Sequence, residues 1–138
     1  MLSNSRKCKL IPPTILGGSV THSNVEVYFD EDAEKEIVEF LVADSARLKK
    51  FRRILAVILT GKYNKDLYGK EDVSGVAENV TAMKFKTKPN SRIYCKEFFK
   101  DGKKVVLIEL LENKDTQKAS DKKIKSRLEA IGRRNYEF

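Results

Sequence analysis

Apolar positions recur along the chain in two periods. Asn24-Val25-Glu26-Val27-Tyr28-Phe29 alternates with period two and predicts a strand. Ala33, Ile37, Phe40 and Leu41 then recur at three and four, which predicts a helix opened by Asp30 with an acidic first turn. Asp44 or Ser45 opens a second helix with the stripe Leu48, Phe51, Leu55 and Ile58, and Gly61 ends it. Residues 62–79 read as a polar connector. Three strand-like runs follow. Val80 to Lys88 sets Met83, Phe85 and Thr87 against Lys84, Lys86 and Lys88, and Pro89-Asn90-Ser91 turns the chain. Arg92 to Lys100 and Lys103 to Glu112 are joined by Asp101-Gly102, a strong hairpin signal. The near-continuous apolar run from Val105 to Leu111 predicts a central strand buried on both faces. A polar loop over 113–119 leads to a last helix with Ile124, Leu128 and Ile131 inside, ended by Gly132. The order predicts an α+β domain over 25–138: a small, mostly antiparallel sheet, an N-terminal helical hairpin packed on it, and a C-terminal helix.

Residues 1–24 hold two of the three prolines and a Gly-Gly pair, so they read as an N-terminal extension, partly irregular, with a docked stretch around Leu10 to Leu16. Pro12-Pro13 and Gly17-Gly18 break the only apolar stretch that follows Arg6, Lys7 and Lys9, which argues against a signal peptide. No apolar run approaches the ~20 residues of a membrane helix, so no membrane association is expected. Cys8 and Cys95 form no CxxC pair and read as two free thiols in a reducing cytoplasm. His22 is the single histidine, which excludes a Ser-His triad or a multi-histidine metal centre. No Gly-rich phosphate loop and no acidic metal cluster is present, so neither metal nor cofactor is expected.

Charge divides the chain unevenly. Residues 1–78 hold 12 Lys/Arg and 12 Asp/Glu, whereas residues 79–138 hold 16 and 8, so the whole net charge of +8 belongs to the C-terminal part. Such asymmetry points to a polyanion, most simply nucleic acid. Lys84, Lys86 and Lys88 share one side of a strand, Arg92 opens the next, and Lys114 and Lys118 follow the third. Gathered on one face with Tyr94, they suit an RNA backbone and a stacked base; the plainer alternative is a solvated sheet face, with Tyr94 in the core.

Several segments together resemble the RelE/HigB-like toxins (RelE/ParE superfamily) of type II toxin–antitoxin systems. They are Ser91-Arg92-Ile93-Tyr94-Cys95, the hairpin, Val105-Val106-Leu107-Ile108, Asn113-Lys114-Asp115-Thr116-Gln117-Lys118 and the basic helix. The likeness covers roughly residues 25 to 131. It implies a cytoplasmic, ribosome-dependent mRNA endoribonuclease that works without metal by 2′-hydroxyl attack, and a cognate antitoxin protein that covers the basic surface. By position Lys84 and Lys86 match the family's strand lysines, Arg92 its strand arginine and Lys114 a basic residue after the last strand. Clustered lysines lower one another's pKa, which suits a base, while an arginine holds the scissile phosphate. Lys88, Lys114 and Lys118 would hold neighbouring phosphates, with Tyr94 on a base. Some members place a histidine at the site, and this chain has none there; others use a tyrosine after the last strand, for which Tyr136 is the candidate. Two alternatives follow: a ParE-like toxin that poisons DNA gyrase instead, or an inactive homologue.

Overall fold

The computed structural model describes residues 5–12, 24–70, 79–85, 91–113 and 121–138. In chain order these form β1 (Ser5–Leu10), β2 (Val25–Asp30), α1 (Glu34–Val42), α2 (Ser45–Leu59), β3 (Tyr68–Lys70), β4 (Val80–Phe85), β5 (Ser91–Lys100), β6 (Lys103–Asn113), α3 (Asp121–Arg133) and β7 (Asn135–Glu137). The strands make one seven-stranded sheet in the order β3-β4-β5-β6-β2-β1-β7. Its pairings are antiparallel except that β2 runs parallel to β6 and β7 parallel to β1.

The expected small, mostly antiparallel sheet carrying an N-terminal helical hairpin is thereby corrected. The sheet is large and mixed, with seven strands, and a further strand, β1, precedes the expected first one. The three unpredicted strands, Ser5–Leu10, Tyr68–Lys70 and Asn135–Glu137, are short or heavily charged. They occupy the margins of the sheet, where backbone pairing suffices and no alternation of apolar side chains is demanded. The N-terminal extension thus docks earlier than Leu10: Cys8, Lys9 and Leu10 pair with Asp30, Phe29 and Tyr28, and Ile11 is buried with its N–H on the Val27 carbonyl at 3.0 Å.

Both faces of the sheet carry apolar cover. On one face Ile37 and Leu41 of α1 and Phe51, Ile54, Leu55 and Ile58 of α2 meet Val27, Phe29, Met83, Phe85, Ile93, Cys95, Val106 and Ile108. The Asp44 carboxylate accepts the Ala46 N–H at 2.8 Å and caps α2. Gly61, at φ +74°, closes that helix with its N–H on the Ile58 carbonyl at 2.9 Å. On the other face Leu128 and Ile131 of α3 meet Val80, Ala82 and Tyr94. Cover on both sides explains the apolar run of β6, where Val105 through Ile108 are at most 1% exposed. Asp101 and Gly102 both have positive φ, 52° and 78°, as a tight hairpin between twisted strands needs.

One irregularity positions a side chain. Tyr94 pairs with Leu110 but Cys95 with Ile108, so Glu109 is an extra residue in β6. Such a bulge re-aims the residue it adds. Among the described residues no helix is long and apolar enough to cross a membrane.

Candidate functional site

The register of three strands brings predicted site residues together. Lys84 on β4 lies directly opposite Arg92 on β5, and Arg92 lies opposite Glu112 on β6. Alternation sends Met83, Phe85 and Ile93 into the core under α1 and α2, so Lys84 and Arg92 stand on the face that α3 partly covers. Both are half-buried. Glu112 is 6% exposed and is held by Nη1 of Arg127 from α3. Lys84 Nζ donates to the Lys65 carbonyl at 2.7 Å. Like charges directly opposite one another weaken a sheet by up to about 1 kcal/mol. The Lys84–Arg92 pairing sets two cations side by side, with the Glu112 carboxylate across from Arg92.

The other predicted members fare differently. Tyr94 is 1% exposed, enclosed with Leu128, Ile131, Val80 and Ala82. It is a core residue, and the expectation that its ring stacks on a base is corrected: α3 covers that stretch of the sheet. Lys86, Lys88, Lys114 and Lys118 lie outside the described residues. Tyr136 is committed elsewhere.

That second place is a buried ionic cluster that sequence reasoning missed. Asp30, at the end of β2, and Glu109, the bulged residue of β6, are both almost fully buried, 0% and 2% exposed. Arg6 of β1 grips Asp30 with two prongs, Nε to Oδ2 at 2.7 Å and Nη2 to Oδ1 at 3.2 Å. The Asp32 N–H adds a bond to Oδ1 at 2.9 Å. Arg134 Nη1 donates to Glu109 Oε1 at 2.9 Å and lies 3.9 Å from Asp30 Oδ2. The Tyr136 hydroxyl bridges the two carboxyls, at 2.8 Å from Asp30 Oδ2 and in closer contact with Glu109 Oε1. Glu109 Oε2 is buried without a hydrogen-bond partner.

Burial pushes Glu109 up to about 7, against the lowering effect of Tyr136 and Arg134. Burial acts on Asp30 in the same sense, but the bonds from Arg6, Tyr136 and the Asp32 N–H together bring it below the usual carboxylate range. Burial and then the two carboxylates hold the Tyr136 phenol well above its ordinary value, so it stays protonated. The cluster ties both chain ends to the sheet centre. Asp30 was expected to open α1, whose N-cap is Ala33, with no side-chain bond; the acid instead answers Arg6 and Arg134. The one visible signal was Glu109, a lone acid in the run Val105 to Leu111.

Lys96, two places beyond Tyr94, supports the same region. Its Nζ donates to the Gly132 and Arg134 carbonyls at 3.0 and 2.6 Å and so caps the end of α3, which continues through Gly132 to Arg133. Burial lowers its pKa. Cys8 and Cys95 are both free. Among the described residues no group of three or more His, Cys, Asp or Glu side chains is placed to hold a metal ion.

Comparisons with protein-family models, with curated proteins and with solved structures find no match to this chain.

Proposed function

We propose that the protein is the toxin of a toxin–antitoxin pair, a ribosome-dependent mRNA endoribonuclease that cuts by metal-free attack of a ribose 2′-hydroxyl. The observation that carries the reading is the opposition of Lys84 and Arg92 on neighbouring strands. The basic balance of residues 79–138 and the likeness of the Arg92 strand and the Lys114–Lys118 segment to RelE/HigB-like toxins support it.

In the reaction the 2′-oxygen forms a bond to the adjacent phosphorus and the P–O5′ bond breaks. The 2′-hydroxyl proton passes to the neutral amine of a lysine, Lys84 or Lys86, and the departing O5′ takes up a proton from water. Arg92 donates to the non-bridging oxygens, where negative charge grows in the transition state. Lys88, Lys114 and Lys118 hold flanking phosphates. A cognate antitoxin protein covers the same basic face. Removing Arg92 is expected to forfeit about 3–4 kcal/mol of transition-state stabilisation, by analogy with loss of an oxyanion donor.

Enclosure of Tyr94 and commitment of Tyr136 to Asp30 and Glu109 take both candidate ring groups away from the site. That favours a second reading, a toxin of the same type that acts on DNA gyrase without cutting RNA. Induction in cells separates the two. The first reading expects growth arrest with shortened mRNAs, and loss of both with Arg92→Ala in a protein that still folds. Arrest with intact mRNA and accumulating DNA breaks supports the second.

A further inference from the structure

Both ends of the chain reach the sheet through few pairings. β7 lies at the margin and pairs with β1 alone: Asn135, Tyr136 and Glu137 stand beside Ser5, Arg6 and Lys7. β1 meets β2 at Cys8, Lys9 and Leu10. Surface contacts add little, since Leu10 is 55% exposed and Lys9 reaches Glu34 as a solvent-facing pair at 3.3 Å. Phe138, past β7, adds edge contacts to Tyr28 and Phe98. What fixes the two strands is the buried cluster. β1 supplies Arg6 to it and β7 supplies Tyr136, with Arg134 just ahead. Each strand ends at a fixed point. Ile11 is buried just past β1, and Lys96 Nζ holds the Gly132 and Arg134 carbonyls just before β7.

With both carboxyls ionised, the cluster is one hydrogen short. The Tyr136 hydroxyl has a single proton, yet its oxygen is within bonding distance of Asp30 Oδ2 and of Glu109 Oε1. It donates to one carboxyl, and the other contact is a bond only if that carboxyl carries a proton and donates it to the phenol oxygen. Asp30 already accepts from both prongs of Arg6 and from the Asp32 N–H, which favour its charged form. Glu109 has only Arg134 besides Tyr136, and its Oε2 is buried without a partner among the described residues. The extra proton therefore belongs to Glu109, in line with its raised pKa of about 7. The groups around Glu109 come from several elements: Asp30 of β2 with Arg6 of β1 behind it, Arg134 and Tyr136 at the chain end, and Lys96 and Cys95 of β5. Asp30 is held low, Tyr136 and Cys95 are pushed up by burial, and Lys96, which burial lowers, donates to two carbonyls.

We propose that β1 and β7 form one strap that closes on the sheet with uptake of a proton at Glu109 and opens as a unit, without α3, when that proton leaves to water. Loss of the proton sets a second carboxylate beside Asp30 with one phenol hydrogen between them, and opening returns Glu109 to solvent. The Lys96 bonds to the Gly132 and Arg134 carbonyls stop the opening short of α3. Opening bares the outer edge of β2 from Tyr28 to Asp30. The strap tightens as pH falls from about 7 towards the ordinary carboxyl value of 4.5, because the closed form keeps a proton that the open form releases.

Amide hydrogen exchange of the full chain, followed by NMR from about pH 5 to about pH 8, tests this. The Glu31 N–H, bonded to the Lys7 carbonyl at 3.1 Å, reports on β1, and the amides of residues 135–137 report on β7. Both are expected to show one common opening constant, at least about tenfold above that of the β5–β6 ladder. Corrected for intrinsic exchange, that constant is expected to rise about tenfold or more across the series and to level off at its alkaline end. Glu109→Gln removes the rise and keeps the strap closed, because a neutral amide can donate to the phenol oxygen. Tyr136→Phe, a change within β7, loosens β1 and β7 alike. Different opening constants for the two strands, a Tyr136→Phe effect confined to residues 135–137, or opening only together with β5 and β6 would each overturn the proposal. So would an opening constant flat with pH in the wild-type chain, or a Glu109→Gln chain with the wild-type pH dependence. None of these outcomes depends on whether the protein cuts RNA.

Discussion

At the end of β2, Arg6 and Arg134 meet Asp30 and Glu109, and Tyr136 bridges the two acids. On the β4–β5 pair, Lys84 and Arg92 meet each other. The first arrangement commits its cations to buried carboxylates and binds the two ends of the chain to the sheet. The second sets two cations side by side on a half-buried face, with Glu112 opposite Arg92 and bonded to Arg127. The same side-chain chemistry serves cohesion in one place and, in the proposed function, a grip on phosphate in the other. Position in the sheet decides which: fully buried acids demand charged partners, whereas half-buried bases keep contact with solvent.

That contrast can be broken from the cohesive side first. Asp30→Ala strands Arg6 and the Tyr136 hydroxyl and is expected to lower stability by about 3–5 kcal/mol, measured by urea unfolding. A loss under about 1 kcal/mol would mean that the cluster ties nothing together.

Glu109 sharpens the contrast through pH. Its folded pKa of about 7 lies above the ordinary carboxyl value of 4.5. Between those values the folded protein keeps a proton that the unfolded chain has released. Stability therefore falls as pH rises through the window, by up to about 3 kcal/mol, and levels off above it. Glu109→Gln is expected to flatten this segment of the stability–pH curve. Asp30, held low, acts with the opposite sign and in a separate window: its contribution is present above about pH 4 and is lost on further acidification. Tyr136→Phe keeps the ring and removes the bridging hydroxyl, for a loss of about 2 kcal/mol in the same unfolding assay.

On the other side of the comparison the smallest effects on stability are expected. Lys84→Gln relieves the opposition to Arg92 while giving up a bond to the Lys65 carbonyl, so unfolding free energy should move by no more than about 0.5 kcal/mol while growth arrest weakens. A large stability loss here would make Lys84 a structural residue and erase the distinction.

Much of the centre of the fold was legible. The periods of β2, α1 and α2, the Asp44 cap, Gly61 and the Asp101-Gly102 turn are local, and each matches its place in the structure. The alternation of β4 also set Lys84 apart from Met83 and Phe85. What escaped depends on partners distant in sequence. β1 is a strand because it pairs with β2, and β7 because it pairs with β1; neither Ser5–Leu10 nor Asn135–Glu137 carries a pattern that announces it. Asp30 looked like a helix start because its partners Arg6, Arg134 and Tyr136 are 24, 104 and 106 residues away. Tyr94 left two places open, a ring stacked on a base or a core residue, and the cover of α3, which nothing in β5 itself reveals, decides for the core.

Metal-free cleavage at the Lys84–Arg92 face, as proposed, is read most directly from the ends of the products. Purified protein is added to ribosomes carrying a defined mRNA, and the new termini are analysed chemically. A 2′,3′-cyclic phosphate on the upstream fragment and a 5′-hydroxyl on the downstream one are expected, both absent with folded Arg92→Ala. Fragments bearing a 3′-hydroxyl and a 5′-phosphate, cleavage by Arg92→Ala at the wild-type rate, or uncut mRNA would contradict it.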